Sequence, residues 1–149
     1  MRLHGIPHAP SYGDALAAAV PAFGPFPEVP DALRALKSLG YEIAIISTTD
    51  DDLIRQNVAR IGVDFDHVIT AQQARIYKPG RRAFEYAYAV MDIPPARVTH
   101  VAQGWEYDLV PTRDLGLRRR VWINRHGRPG SSLYRPYDEL SDLSAVPAA

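Results

Sequence analysis

Three short stretches carry residue types suited to holding a small anion. Ser47-Thr48-Thr49-Asp50 sets hydroxyls and backbone amides where an apolar run gives way to a helical pattern. A helix N-terminus attracts anions through its unpaired N–H groups and its dipole, and the same residue types also serve as ordinary caps. In Tyr77-Lys78-Pro79-Gly80, Pro79 forces Lys78 toward an extended conformation just ahead of a helix. A lysine there is either a point charge aimed at a phosphate or carboxylate or a solvated surface cation. In Gln103-Gly104-Trp105-Glu106-Tyr107-Asp108, Asp108 either orients Lys78, offers an oxygen to a metal, or sits in a first helical turn as carboxylates often do.

The elements that must position these stretches follow from periodicity. Six prolines between Pro7 and Pro30 prevent one continuous helix in the first 30 residues, where only Tyr12 to Val20 reads as helical. Asp31 to Leu39 lines Leu33, Leu36 and Leu39 along one helical face, and Gly40 ends it. Glu42 to Ile46 reads as a buried strand, Asp50 to Ile61 as a helix closed by Gly62, and His67 to Thr70 as a second strand. A helix over Arg81 to Met91, a strand over Val98 to Ala102, a helix over Glu106 to Leu115 and a strand over Arg120 to Ile123 continue the alternation. Strands apolar on both faces, alternating with helices, predict a parallel sheet with helices on each side. In such sheets ligands bind beyond the carboxyl ends of the strands, where all three stretches fall. Residues 124–149 have no strong period and read as a surface wrap ending in a loosely held tail.

Composition narrows the functions. At 149 residues and 46% hydrophobic the chain fits one domain. Seventeen basic and seventeen acidic residues cancel, so no global field draws nucleic acid or a membrane surface, and neither partner is expected. No apolar run approaches the roughly 20 residues of a bilayer span. The absence of cysteine excludes disulfides and thiolate chemistry and fits a reducing compartment, so the expected location is the cytoplasm.

Taken together, the segment from Pro25 to Leu33, Ile45-Ile46-Ser47-Thr48, Tyr77-Lys78-Pro79, His100-Val101-Ala102-Gln103-Gly104 with Asp108, and Val121 to Arg125 resembles the haloacid dehalogenase superfamily, most closely its type II haloacid dehalogenase-like hydrolases. The resemblance spans about residues 20–143. It implies a Rossmann-like three-layer α/β fold and hydrolysis of phosphate esters or 2-halo acids through an aspartyl-enzyme intermediate. By that likeness Ser47 and the amide of Thr48 bind the substrate's anionic group, Lys78 neutralises charge, and Asp108 holds Lys78 or assists a metal. Thr49, Gln103 and Gly104 complete the expected lining for a small anionic substrate.

The chain departs from the family pattern in three respects. The family's nucleophile is an aspartate ending a first, central strand, and no such motif precedes the anion-binding stretch. The chain is therefore expected to be an N-terminally truncated member, with residues 1–30 as the remnant of a cap and residues 31–149 as the core. Gln103 stands where the superfamily's phosphatases usually place an acidic magnesium ligand, and a neutral amide suits a hard dication poorly. No cofactor is assigned and tight magnesium binding is not expected. Loss of a central strand would leave two inner sheet edges open, to be filled by Arg2 to Ile6 or by a partner chain, which makes a homodimer the expected assembly. The leading function is a hydrolase using water or an unconventional nucleophile. The alternative is a catalytically inactive module for binding or self-association.

Other residues read as follows. Asp50, Asp51 and Asp52 favour the helix dipole over nucleophilic work. His4 and His8 lack the helix their spacing needs to share a metal, because Pro7 intervenes. His67 and His100 read as satisfied core histidines, Arg118 to Arg120 as a solvated face, and Trp105 and Trp122 as packing residues.

Overall fold

A computed structural model of the chain describes residues 15–148. The short helix α1 (Ala15–Ala19) runs into a 3₁₀ turn (Val20–Ala22), and α2 (Val29–Ser38) opens with Pro30 in its first turn, where a missing N–H costs nothing. Five strands follow, each parallel to the strands it pairs with: β1 (Ala44–Ser47), β2 (His67–Thr70), β3 (Thr99–Ala102), β4 (Arg119–Ile123) and β5 (Asp138–Leu140). Between β1 and β2 lies α3 (Asp51–Ile61), closed by Gly62 at φ 67°. The short α4 (Ala71–Ala74) and the longer α5 (Arg81–Met91) separate β2 from β3. The expectation of a parallel α/β sheet holds, with element bounds within two residues for most of the chain.

The sheet is split. Among the described residues β1 pairs only with β2, and β3, β4 and β5 form a separate three-stranded sheet in that order. Among the described residues β1 and β3 each have one edge without a strand neighbour, and their first residues, Ala44 and Thr99, are exposed. Packing joins the two halves. Ile46 of β1 meets a cluster formed by Phe84 and Tyr88 of α5 with Leu115, and Val98 next to β3 joins the same cluster. The expectation that Arg2 to Ile6 fills the gap lies outside the described residues, as do His4 and His8.

Alternation along the strands defines the two faces. Val121 and Ile123 pack with Val101, Leu36 of α2 and Val146 on one side, while Trp122 packs with Leu109, Trp105 and Tyr137 on the other. The C-terminal stretch is not a loose tail: β5 extends the sheet, and a 3₁₀ segment (Leu143–Ala148) packs against α2 and buries Val146. Apolar residues spaced without a period were enough to dock it. Arg120 is not on a solvated face. It is buried, and its guanidinium donates to the carbonyls of Leu109, Tyr134 and Pro136. A planar five-donor group can satisfy several interior carbonyls at once, and three adjacent arginines gave no sign of which one points inward. Arg118 is exposed and Arg119 pairs with Asp138, as a solvated face requires. Trp105 and Trp122 pack as expected, with ring centroids 4.6 Å apart.

Candidate anion site

Lys78 and Asp108 meet beyond the carboxyl ends of β2 and β3. The Lys78 Nζ donates to Oδ1 of Asp108 at 2.8 Å, and the two side chains are 14% and 9% exposed. Local sequence places each partner. Thr70 caps α4, accepting from the Gln73 backbone while the Gln73 side chain returns to the Thr70 N–H. Arg75, at φ 53°, then turns the chain away from the helix. Gly80 is the N-cap of α5, and a Cβ there would lie 2.8 Å from Ile76 Cδ1 and 2.9 Å from the Tyr77 carbonyl. The turn carrying Lys78 is thus folded tightly onto itself.

Asp108 stands on an element that periodicity did not reveal. In place of an α-helix over Glu106 to Leu115, residues Trp105–Leu109 form a π-helical turn, with Leu109 N donating to Gly104 O at 3.2 Å and Val110 N to Trp105 O at 3.0 Å. The wider turn is uncommon and recurs at functional sites. It buries Asp108 and Leu109 together while Tyr107 stays exposed. The loop is pinned on both sides: Trp122 Nε1 donates to the Gln103 carbonyl at 3.2 Å, and the Thr112 hydroxyl donates to the Asp108 carbonyl.

Gly104, expected to line a substrate, has a different visible role. A Cβ at this position would fall 2.5 Å from Oδ2 of Asp108, so the absent side chain is what gives the carboxylate its room. Gln103 is exposed, and its backbone rather than its side chain makes the contact to Trp122.

Charge on Asp108 is maintained against burial. Removal from water pushes its carboxyl up, but His100 and Lys78 together outweigh that, and it titrates below the ordinary carboxylate value. His100 corrects the sequence reading. It is buried on β3, but it is not a satisfied core histidine: its Nε2 faces Oδ1 of Asp108 at 3.4 Å and makes no well-formed hydrogen bond among the described residues. A histidine eight positions before an aspartate carried no periodic signal, because a strand and a π turn separate them.

The hydroxyl stretch ends β1. Ser47 pairs in register with Thr70 of β2, and its Oγ lies 2.7 Å from Oγ1 of Thr49. Thr48 is exposed, and no hydrogen bond among the described residues links the hydroxyls to Lys78. Lys78 is thus joined to Asp108 directly, and Ser47 and Thr49 are joined to each other at the end of β1. Of the three aspartates, Asp50 occupies the N-cap without a side-chain cap bond, and Asp52 pairs with Arg55. Asp51 accepts from Thr70 Oγ1 at 2.6 Å and Gln73 Nε2 at 2.9 Å, which ties α3 to α4. These bonds give Asp51 and Asp52 structural roles.

No cluster of three or more His, Cys, Asp or Glu is present among the described residues, and Oδ1 of Asp108 accepts from Lys78. No helix among them is long and apolar enough to cross a membrane.

A family model for haloacid dehalogenase-like hydrolases matches residues 8–109. The chain belongs to this family. It is 32% identical over 125 residues to the (S)-2-haloacid dehalogenase of Pseudomonas sp. (strain YL), a match covering 82% of this chain and 53% of that protein. It is 35% identical over 105 residues to haloacetate dehalogenase H-2 of Moraxella sp. (strain B), covering 69% of this chain and 46% of that one. Among solved structures, an L-2-haloacid dehalogenase superposes with a TM-score of 0.85 at 25% identity, over 99% of this chain and 65% of the other. The chain thus spans about half the length of the curated relatives it matches and about two thirds of the solved one.

Proposed function

We propose that this chain provides the anion-holding part of a hydrolase for small anionic substrates, with 2-halo acids as the first substrate class and phosphate esters as the second. The observation that carries the reading is the buried Lys78–Asp108 pair beyond the carboxyl ends of the strands. An ammonium held by one carboxylate keeps two further donors, and in a partly dehydrated site they bind an anion far more strongly than in water. One hydroxyl of the Ser47–Thr49 pair, whose other O–H is spent on their mutual bond, and the amide of Thr48 supply neutral donors for the rest of the anionic group. Similarity to dehalogenases from Pseudomonas and Moraxella favours halo acids. The similarity to a glyceraldehyde 3-phosphate phosphatase of Methanothermobacter thermautotrophicus, 30% identical over 95 residues, keeps phosphate esters in view.

In this reading Lys78 lowers the charge on the bound substrate as an oxygen nucleophile displaces halide from the carbon of a 2-halo acid or the alcohol from the phosphorus of a phosphate ester, and Asp108 holds Lys78 in place. Among the described residues no carboxylate other than Asp108 contacts Lys78. The attacking oxygen is therefore assigned to water or to a group outside the described residues. A panel of chromogenic phosphate esters and a halide-release assay, run on wild type and Lys78→Ala, tests this. Turnover that disappears in the variant supports it, and unchanged turnover contradicts it.

A second reading, a binding or self-association module without catalysis, is favoured by the edges of β1 and β3 that carry no paired strand among the described residues. Unpaired strand edges attract further strands, and they also support a homodimer in either reading. Sedimentation equilibrium checks this: twice the chain mass is expected, and a well-folded monomer contradicts it. The cytoplasm is the compartment we assign, on the lack of cysteine.

A further inference from the structure

His100 sits where a purely structural role would be met better by an apolar ring. Its side chain is about nine-tenths buried, and it packs edge-on to Phe84 with ring centroids 5.5 Å apart and planes at 82°. A phenylalanine would make the same contact without burying a ring nitrogen whose contact to a polar group is as long as 3.4 Å, which is unfavourable in the interior. The Nε2 faces the Asp108 carboxylate, 3.4 Å from the same Oδ1 that receives the Lys78 ammonium. The other oxygen of Asp108 is confined by Gly104. The carboxylate is thus bounded by Gly104 on one oxygen and by His100 and Lys78 on the other. The Asp108 charge also acts on the Tyr88 phenol of α5, which burial first and that charge second push up, and whose hydroxyl has no hydrogen-bond partner among the described residues.

We propose that His100 is a positioning residue: with its proton on Nε2, it braces the Asp108 carboxylate and so fixes where the Lys78 ammonium stands. This rests on the reading of Lys78 as the anion-holding group. A carboxylate held by Lys78 alone could swing with the long lysine stem, whereas a second donor on a rigid strand removes that freedom.

The test uses the intact chain labelled with ¹³C on aspartate carboxyls and ¹⁵N on histidine rings. In wild type, His100 shows a protonated Nε2. The Asp108 midpoint rises by about one pH unit in His100→Phe, which keeps the ring packing without the donor, and by less than half of that in His100→Gln, which restores an N–H. Inorganic phosphate then binds about fivefold more weakly to His100→Phe than to His100→Gln. An unprotonated Nε2 in wild type, an unmoved Asp108 midpoint in His100→Phe, or equal shifts in the two variants overturns the proposal, and the first of these needs no variant to fold. If wild type binds no phosphate while the two midpoints separate as expected, the anion-site reading falls and the bracing of Asp108 stands.

Discussion

Lys78 Nζ and Asp108 Oδ1 are 2.8 Å apart across 30 positions of sequence, and both side chains are nearly withdrawn from solvent. A buried ion pair loses solvation on both sides and is kept only where its geometry and added hydrogen bonds repay that loss. Removing one partner strands the other. In Lys78→Ala we expect a loss of about 3–5 kcal/mol of stability by urea denaturation. Any turnover should fall by roughly 10²-fold or more.

The pair also ties stability to pH. Asp108 titrates below its ordinary value of 3.8 in the folded chain. The unfolded chain therefore binds the proton first as pH falls, and the stability contributed by this carboxylate is whole above that value and lost as pH drops through the folded midpoint. The advantage of wild type over Asp108→Asn, measured by denaturation from pH 7 to 3, is expected to be largest at neutral pH and to shrink below about pH 4. A constant gap over that range contradicts the account.

Gly104→Ala places a methyl group 2.5 Å from Oδ2 of Asp108. The carboxylate or the pinned loop must move, at about 1–3 kcal/mol. Phosphate affinity should fall along with thermal stability, since the same carboxylate holds Lys78. A crystal structure of the variant with the Lys78–Asp108 distance unchanged contradicts this.

Arg120→Met leaves the carbonyls of Leu109, Tyr134 and Pro136 without their shared donor. Each orphaned buried acceptor costs about 1–3 kcal/mol. Faster hydrogen exchange from Tyr134 through β5 is the expected signature, because Arg120 ties that segment to β4.

Much of the fold was legible in the sequence for a local reason. The helix over Arg81–Met91 and the strand over His67–Thr70 carry regular apolar spacing, and glycines 40 and 62 stop helices at positive φ. The π turn at Trp105–Leu109 was not legible, because one inserted residue breaks helical phase without changing composition. β5 was missed since only Leu140 of its three residues is apolar and its role depends on pairing with β4. At the site, Lys78 and Asp108 were found from their places after successive strands, whereas His100 was set aside. Its partner is fixed by tertiary structure alone, through a strand and a loop that bring its Nε2 to Oδ1 of Asp108.

The most direct test of the central claim is equilibrium binding of chloroacetate and inorganic phosphate by calorimetry, comparing wild type with Lys78→Ala at pH 7. One saturable anion per wild-type chain, weakened at least tenfold in the variant, is the predicted result; equal affinity in the two proteins would contradict the account.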